Sequence, residues 1–434
     1  MNLRRGDRYV FWPRVTAALA VIVALATSCR VAQAIPSPIP YTTPKAPLAT
    51  QGAPPTNTAV QPGPTPTEQE PKPSPPTATR ASQAGPTATP VPSPRMTSPD
   101  YGIQAFLWWR PEVATRDLRL IQDMGFPWVK QVFAWSDIEW AGKGIFNWNQ
   151  ADGVVHHANE AGVKLLARLD RAPKWTGAGD PNGPPDNLED FGDFCYAVAS
   201  RYKGRIQAYQ IWNEPNLARE WGGRPPDPVE YVRLLSIAYR RIKEADPDAL
   251  VISAGLTPTG TSSDQAMPDS VYLEQMYQAG FQHHCDMVGM HAAGFKAPPE
   301  LSPAEVAANK EEYGGERFFC FRHVEDLREI MERHGDGARQ VAILEFGWTT
   351  DLIHPSYSWH AVTEEQQARY LVGAYEYARD NWQPWIALMS TIYIADADWT
   401  EDREEYWWAI TYPDYPRFRA RPAYDALRAM DKVR

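Results

Sequence analysis

Residues 206–215 read IQAYQIWNEP, an apolar run of strand length that stops at an Asn-Glu pair, where Pro215 forbids further strand pairing. One carboxylate, Glu214, is thereby placed at a strand tip. A second run, 340–346 (QVAILEF), carries Glu345 near its end and is followed by Gly347 and Trp348. Two acidic groups on two strand ends can face one cleft. Glycosidic bond cleavage usually takes such a pair, one carboxyl group to protonate the leaving oxygen and one to attack or to activate water.

Working outward from these two runs, residues 101–434 alternate between short apolar segments and longer amphipathic ones. Strands are expected near 103–108, 128–133, 164–169, 206–212, 250–254, 287–291, 341–346 and 385–394. Helices are expected near 111–124, 150–161, 188–202, 228–245, 271–279, 323–334, 364–380 and 423–430. Eight βα units predict a (β/α)₈ barrel over 100–434, with the length beyond the usual ~250 residues placed in loops after strands. In such barrels reactive groups sit at the C-terminal ends of the strands. Glu214 ends the fourth and Glu345 the seventh, so both should open on one face.

At this point a resemblance enters. IWNEPN at 211–216 and ILEFGWTT at 343–350 resemble the acid/base and nucleophile strands of clan A glycoside hydrolases. WSDIEWAGKGIFNWNQAD at 135–152 and AGVKLLARLDRAPKW at 161–175 resemble the family 39 type, with its β-xylosidase-like and exopolysaccharide-cleaving members. The resemblance implies a retaining β-glycosidase in which Glu214 is the general acid/base and Glu345 the nucleophile. It further implies that Asn213 donates to the sugar 2-hydroxyl, that His291 lines the cleft, and that no metal or other cofactor is needed. Two departures stand out: Ala292 and Ala293 follow His291 where an aromatic residue is frequent, and Lys130 replaces a common arginine on the second strand.

In the retaining arrangement that the resemblance implies the two carboxylates lie close and repel, and with the roles that the resemblance assigns, Glu345 is expected to ionise first while Glu214 keeps its proton near neutral pH. Sixteen of the 17 tryptophans lie beyond residue 100, and sugar rings stack on such faces. Trp135, Trp175, Trp348 and Trp399 follow or end strands on the proposed face and are expected to bind substrate. Asp170 and Arg171, after the third strand, either touch substrate or form an ion pair. The histidines show no metal-binding spacing.

The N-terminal hundred residues differ in kind. Four arginines within 1–14 precede a thirteen-residue apolar run at 15–27, too short for the ~20 residues of a membrane span. This predicts a signal peptide over 1–34 and an exported protein. Cleavage either follows a lipobox, leaving a lipidated Cys29 as a membrane tether, or falls at the Ala32-Gln33-Ala34 site. Residues 35–99 hold 19 of the 41 prolines, and predict an unstructured Pro/Thr-rich spacer. A net charge of -10 argues against nucleic acid as a partner. Cys285 and Cys320 could form a disulfide. An oligosaccharide or polysaccharide is the expected ligand, and a catalytically inactive carbohydrate-binding barrel is the alternative to an enzyme; oligomeric state is open.

Overall fold

In the computed structural model, which describes residue 96 and residues 98–432, eight strands alternate with eight main helices. The strands are β1 (Asp100–Gln104), β2 (Trp128–Ala134), β3 (Lys164–Asp170), β4 (Ala208–Ile211), β5 (Leu250–Ile252), β6 (Val288–Ala293), β7 (Val341–Gly347) and β8 (Ile386–Thr391). They are followed in turn by α1 (Pro111–Asp123), α2 (Asn149–Glu160), α3 (Leu188–Arg201), α4 (Pro228–Ala245), α5 (Asp269–Gln278), α6 (Val324–Arg333), α7 (Glu364–Asn381) and α8 (Pro422–Ala429). All paired strands are parallel, in the order β5-β4-β3-β2-β1-β8-β7-β6. A parallel bridge between Ile252 and Met287, with Asp286 N–H donating to the Val251 carbonyl at 2.7 Å, closes β5 onto β6. The result is the expected (β/α)₈ barrel.

The expected signal peptide at 1–34, Cys29 and nearly all of the 35–99 spacer lie outside the described residues. Among the described residues, no helix is long and apolar enough to cross a membrane.

Each helix exists because one face can be buried against the strands. In α4 the buried residues Tyr231, Leu234, Leu235, Ala238 and Ile242 recur at three- and four-residue steps, Pro228 opens the first turn, and the Asp227 side chain accepts from Glu230 N–H. Inside the barrel the side chains form layers. Trp128, Leu166, Ala208, Ile252, Leu344 and Leu388 fill an apolar layer. Two residues further along the same strand faces, Lys130, Arg168 and Gln210 replace Trp128, Leu166 and Ala208. The layer nearest the mouth is therefore charged and polar.

Two expectations need correction. The first strand spans Asp100–Gln104 rather than 103–108, because residues 100–103 pair with Leu388–Thr391. Beyond it the chain leaves the sheet: Leu107 N–H donates to the Gln131 side chain at 2.6 Å, and Trp108 packs edge-on against Phe133. Cys285 and Cys320 form no disulfide; with Cys195 they are buried free thiols, and burial pushes Cys285 and Cys320 up to about 12.

Candidate active site

Glu214 reaches the barrel mouth through an irregular exit from β4. Trp212 (φ 68°) and Glu214 (φ 41°) both take left-handed backbone conformations, which cost ~1–3 kcal/mol each in a residue with a side chain. Surrounding bonds hold them there. Trp212 Nε1 donates to the Glu220 carbonyl at 2.9 Å, and Glu214 N–H donates to the Gly255 carbonyl at 3.0 Å. The neighbouring Asn213 accepts from Gln210 Nε2 at 3.2 Å through its side-chain oxygen, which leaves its amide N–H groups for the cleft it lines.

Glu345 is aimed by a different device. In β7 the pairing with β6 runs Met290 to Ile343 and then His291 to Glu345, so Leu344 is an extra residue. Strict alternation would send Glu345 to the side of Ile343, into the layer between barrel and helices. The irregularity turns it into the mouth instead. There Glu345 Oε1 meets Lys130 Nζ at 2.7 Å, with Arg168 Nη1 at 3.8 Å.

His291 joins the two acids. Its Nδ1 lies 2.9 Å from Glu214 Oε1 and 3.9 Å from Glu345 Oε2. Its ring lies so close to the end of β5 that a Cβ at Gly255 would collide with it, so only glycine fits there. One ligand atom from each of Glu214, His291 and Glu345 lies within 4.8 Å of the others. Such a convergence could suit a cation, but the positive charge at this place is already supplied by the Lys130 ammonium and the Arg168 guanidinium.

Burial by itself would raise both carboxyl groups. At Glu345 it is outweighed by the charge of Lys130, then by His291 and Arg168, and the group falls to about 2. At Glu214 burial is outweighed by the hydrogen bond and charge of His291, so this group also sits below the ordinary glutamate value despite repulsion from Glu345. The expectation that Glu214 keeps its proton through carboxylate repulsion is thus reversed in the free protein. The cause is His291, 77 positions away in the chain.

The cleft around these groups has a volume of about 640 Å³. Asn213, Glu214, His291, Glu345 and Trp399 line it; Trp135, Trp175 and Trp348 do not. Trp135 donates to Glu139 Oε2 at 2.5 Å and stacks on Phe194 of α3, and Trp175 donates to the Glu139 carbonyl at 2.6 Å and packs edge-on against Trp135, so both indoles are used to hold the segment after β2. Trp348 donates to the Ala297 carbonyl at 2.9 Å and lies against Gly294, where any Cβ would strike its ring. Asp170 pairs with Arg168 at 2.7 Å, whereas Arg171 lines the cleft.

Other lining residues were not singled out from the sequence: Arg168, Arg219, Glu220, Tyr357, Trp359, Tyr393 and Trp408. Arg168, like Lys130, carried a readable signal, a charged residue inside an otherwise apolar strand run. Glu220 is pushed up to about 7 by burial and by the charge of Glu214.

Fold and site together define a (β/α)₈ barrel with two glutamates, from β4 and β7, converging at its C-terminal mouth. No known family model matches the chain. It is similar to endo-1,4-beta-xylanase C of Paenibacillus barcinonensis, 26% identical over 180 residues, which cover 34% of this chain and 16% of that protein. Among solved structures it is similar to a family 39 glycoside hydrolase from the gut symbiont Bacteroides cellulosilyticus WH2, with a TM-score of 0.57 and 21% identity over 76% of this chain and 63% of the other. It is also similar to a glucosidase from Croceicoccus marinus, with a TM-score of 0.53 and 13% identity over 77% of this chain and 68% of the other. The chain thus spans under two thirds of the first two of these proteins, and at these identities the structural likeness is one of fold. The family 39 type that the motifs resemble is among the structures sharing it.

Proposed function

We propose that the barrel is a retaining β-glycosidase that hydrolyses O-glycosidic bonds of an oligosaccharide or polysaccharide. The observation that carries this reading is the approach of Glu214 and Glu345 to within 4.8 Å, oxygen to oxygen. That closeness suits the ~5–5.5 Å carboxyl separation of retaining enzymes better than the ~6.5–9.5 Å of inverting ones.

In the first step Glu345 Oε2 attacks the anomeric carbon, while Oε1 stays bonded to Lys130. The bond to the leaving oxygen breaks as Glu214 delivers a proton to it. In the second step Glu214 takes a proton from water, whose oxygen displaces Glu345 from the same carbon. Two inversions leave the configuration unchanged. In this reading Asn213, which lines the cleft, donates to the 2-hydroxyl. The xylanase and the glucosidase among the similar proteins support a carbohydrate substrate.

The test is turnover of a panel of aryl β-glycosides and bacterial exopolysaccharides, with NMR of the first-formed product. The β-anomer is expected first. The α-anomer would overturn retention, and no turnover across the panel would overturn the hydrolase.

Two further outcomes are expected. For a substrate with a poor leaving group, kcat/KM should peak on the acid side of neutrality, since Glu345 ionises from about 2 and Glu214, which must hold a proton, titrates below the ordinary glutamate value. A pH–rate maximum above roughly pH 7 would contradict this. Trp359, 44% exposed and braced by Phe319 at 4.9 Å and His360 at 4.7 Å, offers a rigid face in the cleft for a sugar ring. Trp359→Ala should raise KM for an oligosaccharide about tenfold, the worth of ~1.4 kcal/mol of stacking, and leave a small aryl glycoside unaffected.

Residues 1–34 and the proline-rich stretch after them support an exported barrel held at the cell surface through Cys29. Cys29→Ala should then move the protein from the membrane fraction to the medium or the soluble fraction.

A further inference from the structure

The cation that touches Glu345 is a lysine, and its surroundings give it more than a packing role. Lys130 is 1% exposed; Nζ lies 2.7 Å from Glu345 Oε1 and 3.2 Å from the Leu344 carbonyl. An ammonium donates up to three hydrogen bonds from one point. Here two go to consecutive residues of β7, the extra residue Leu344 and the carboxylate that this residue turns into the mouth.

Resting on the hydrolase reading above, we infer that Lys130 is the positioning residue of Glu345: its ammonium aims the carboxylate through the paired bonds to Leu344 and Glu345, so the attack slows when Lys130 gives up its proton. The charged groups around Lys130 are Glu345 on β7, Arg168 on β3 and Glu214 just after β4. His291 on β6, Asp170 on β3 and Tyr393 after β8 act on those neighbours, and the β1 residue paired with Lys130 is the uncharged Gln104. Burial outweighs the attraction of Glu345 and lowers Lys130 from the ordinary lysine value, and Arg168 adds to this.

Arg168 cannot take over the role. Its Nε already lies 2.7 Å from Asp170, and its Nη1 is 3.8 Å from Glu345. Tyr393 stays out of the same window, since burial pushes it well above the ordinary tyrosine range.

A 2,4-dinitrophenyl glycoside separates Lys130 from Glu214, because so good a leaving group departs without a proton. With this substrate, kcat/KM of the wild type should still fall on the alkaline side, at or below about pH 10. Lys130→Arg, whose guanidinium keeps its charge, should hold neutral-pH kcat/KM within about tenfold and move the alkaline limb up by at least ~1 pH unit. Lys130→Met, similar in length and uncharged, should be ~100-fold slower and show no limb.

Should Lys130→Arg fail to fold, Lys130→Met carries the comparison, with circular dichroism to confirm its fold. A wild-type profile flat to about pH 10, an unmoved limb in Lys130→Arg, or wild-type rate and limb in Lys130→Met overturns the inference. Absence of all turnover in the wild type sinks the hydrolase reading instead, and this inference with it.

Discussion

Glu345→Ala should lower kcat/KM on an aryl β-glycoside by ~10⁴-fold or more, since Glu345 is the group that forms the glycosyl bond in the proposed reaction. Glu214 would still be 2.9 Å from His291 and still able to protonate the leaving oxygen. The variant therefore lacks one half of the chemistry and keeps the other. Azide, small enough to enter the space of the missing carboxylate, should restore turnover and yield the α-glycosyl azide, because a single displacement inverts the anomeric carbon. NMR of that product is the decisive measurement. A β-azide, or residual activity within tenfold of wild type, would show that Glu345 does not attack. Stability changes too. Removing the carboxylate strands the buried Lys130 ammonium, and breaking such a pair from one side costs ~3–5 kcal/mol. Thermal unfolding should fall accordingly, and azide rescue separates this effect from lost chemistry.

The convergence of Glu214 and Glu345 was legible in the sequence because each closes an apolar run that has nowhere else to go. Pro215 lies just beyond one strand and Gly347 ends the other, and eight repeats of the same alternation favour a barrel that buries them all. Strand β1 was less legible because Gly102 and Gln104 break its apolar run, while the Leu107-Trp108 pair just beyond it looks more strand-like than the strand itself. Three of the four tryptophans expected in the cleft, Trp135, Trp175 and Trp348, lie outside it for a different reason. A loop residue beside a strand end can face the cleft or turn under it, and the choice depends on where its indole N–H finds an acceptor: Glu139 for Trp135 and Trp175, Ala297 for Trp348. Those acceptors belong to loop conformations that no local pattern encodes. The extra residue at Leu344 was likewise hidden, since a bulge leaves no mark in composition. Protonation was least legible of all, because the direction at Glu214 is set by a histidine on another strand.

Glu214→Gln should separate the two steps of the reaction by their need for a proton. With a poor leaving group kcat/KM should fall by ~10²–10⁴-fold, the usual worth of a general acid. With a dinitrophenyl leaving group the first step should proceed nearly as in the wild type, and the enzyme should then stall as a glycosyl ester on Glu345, because an amide in place of Glu214 cannot take the proton from water. Mass spectrometry of the intact protein should show the added sugar. Azide, which needs no base, should release it as the β-glycosyl azide, opposite in configuration to the product expected from Glu345→Ala. The pairing with His291 sharpens this test. A neutral amide cannot exchange a proton with the ring, so for poor leaving groups the pH dependence arising from Glu214 should vanish along with the rate. Binding of an unreactive oligosaccharide, read by calorimetry, should persist. If Glu214→Gln and wild type instead bind equally and neither turns over any glycoside, the barrel is a carbohydrate-binding protein in which the two glutamates only hold sugar hydroxyls.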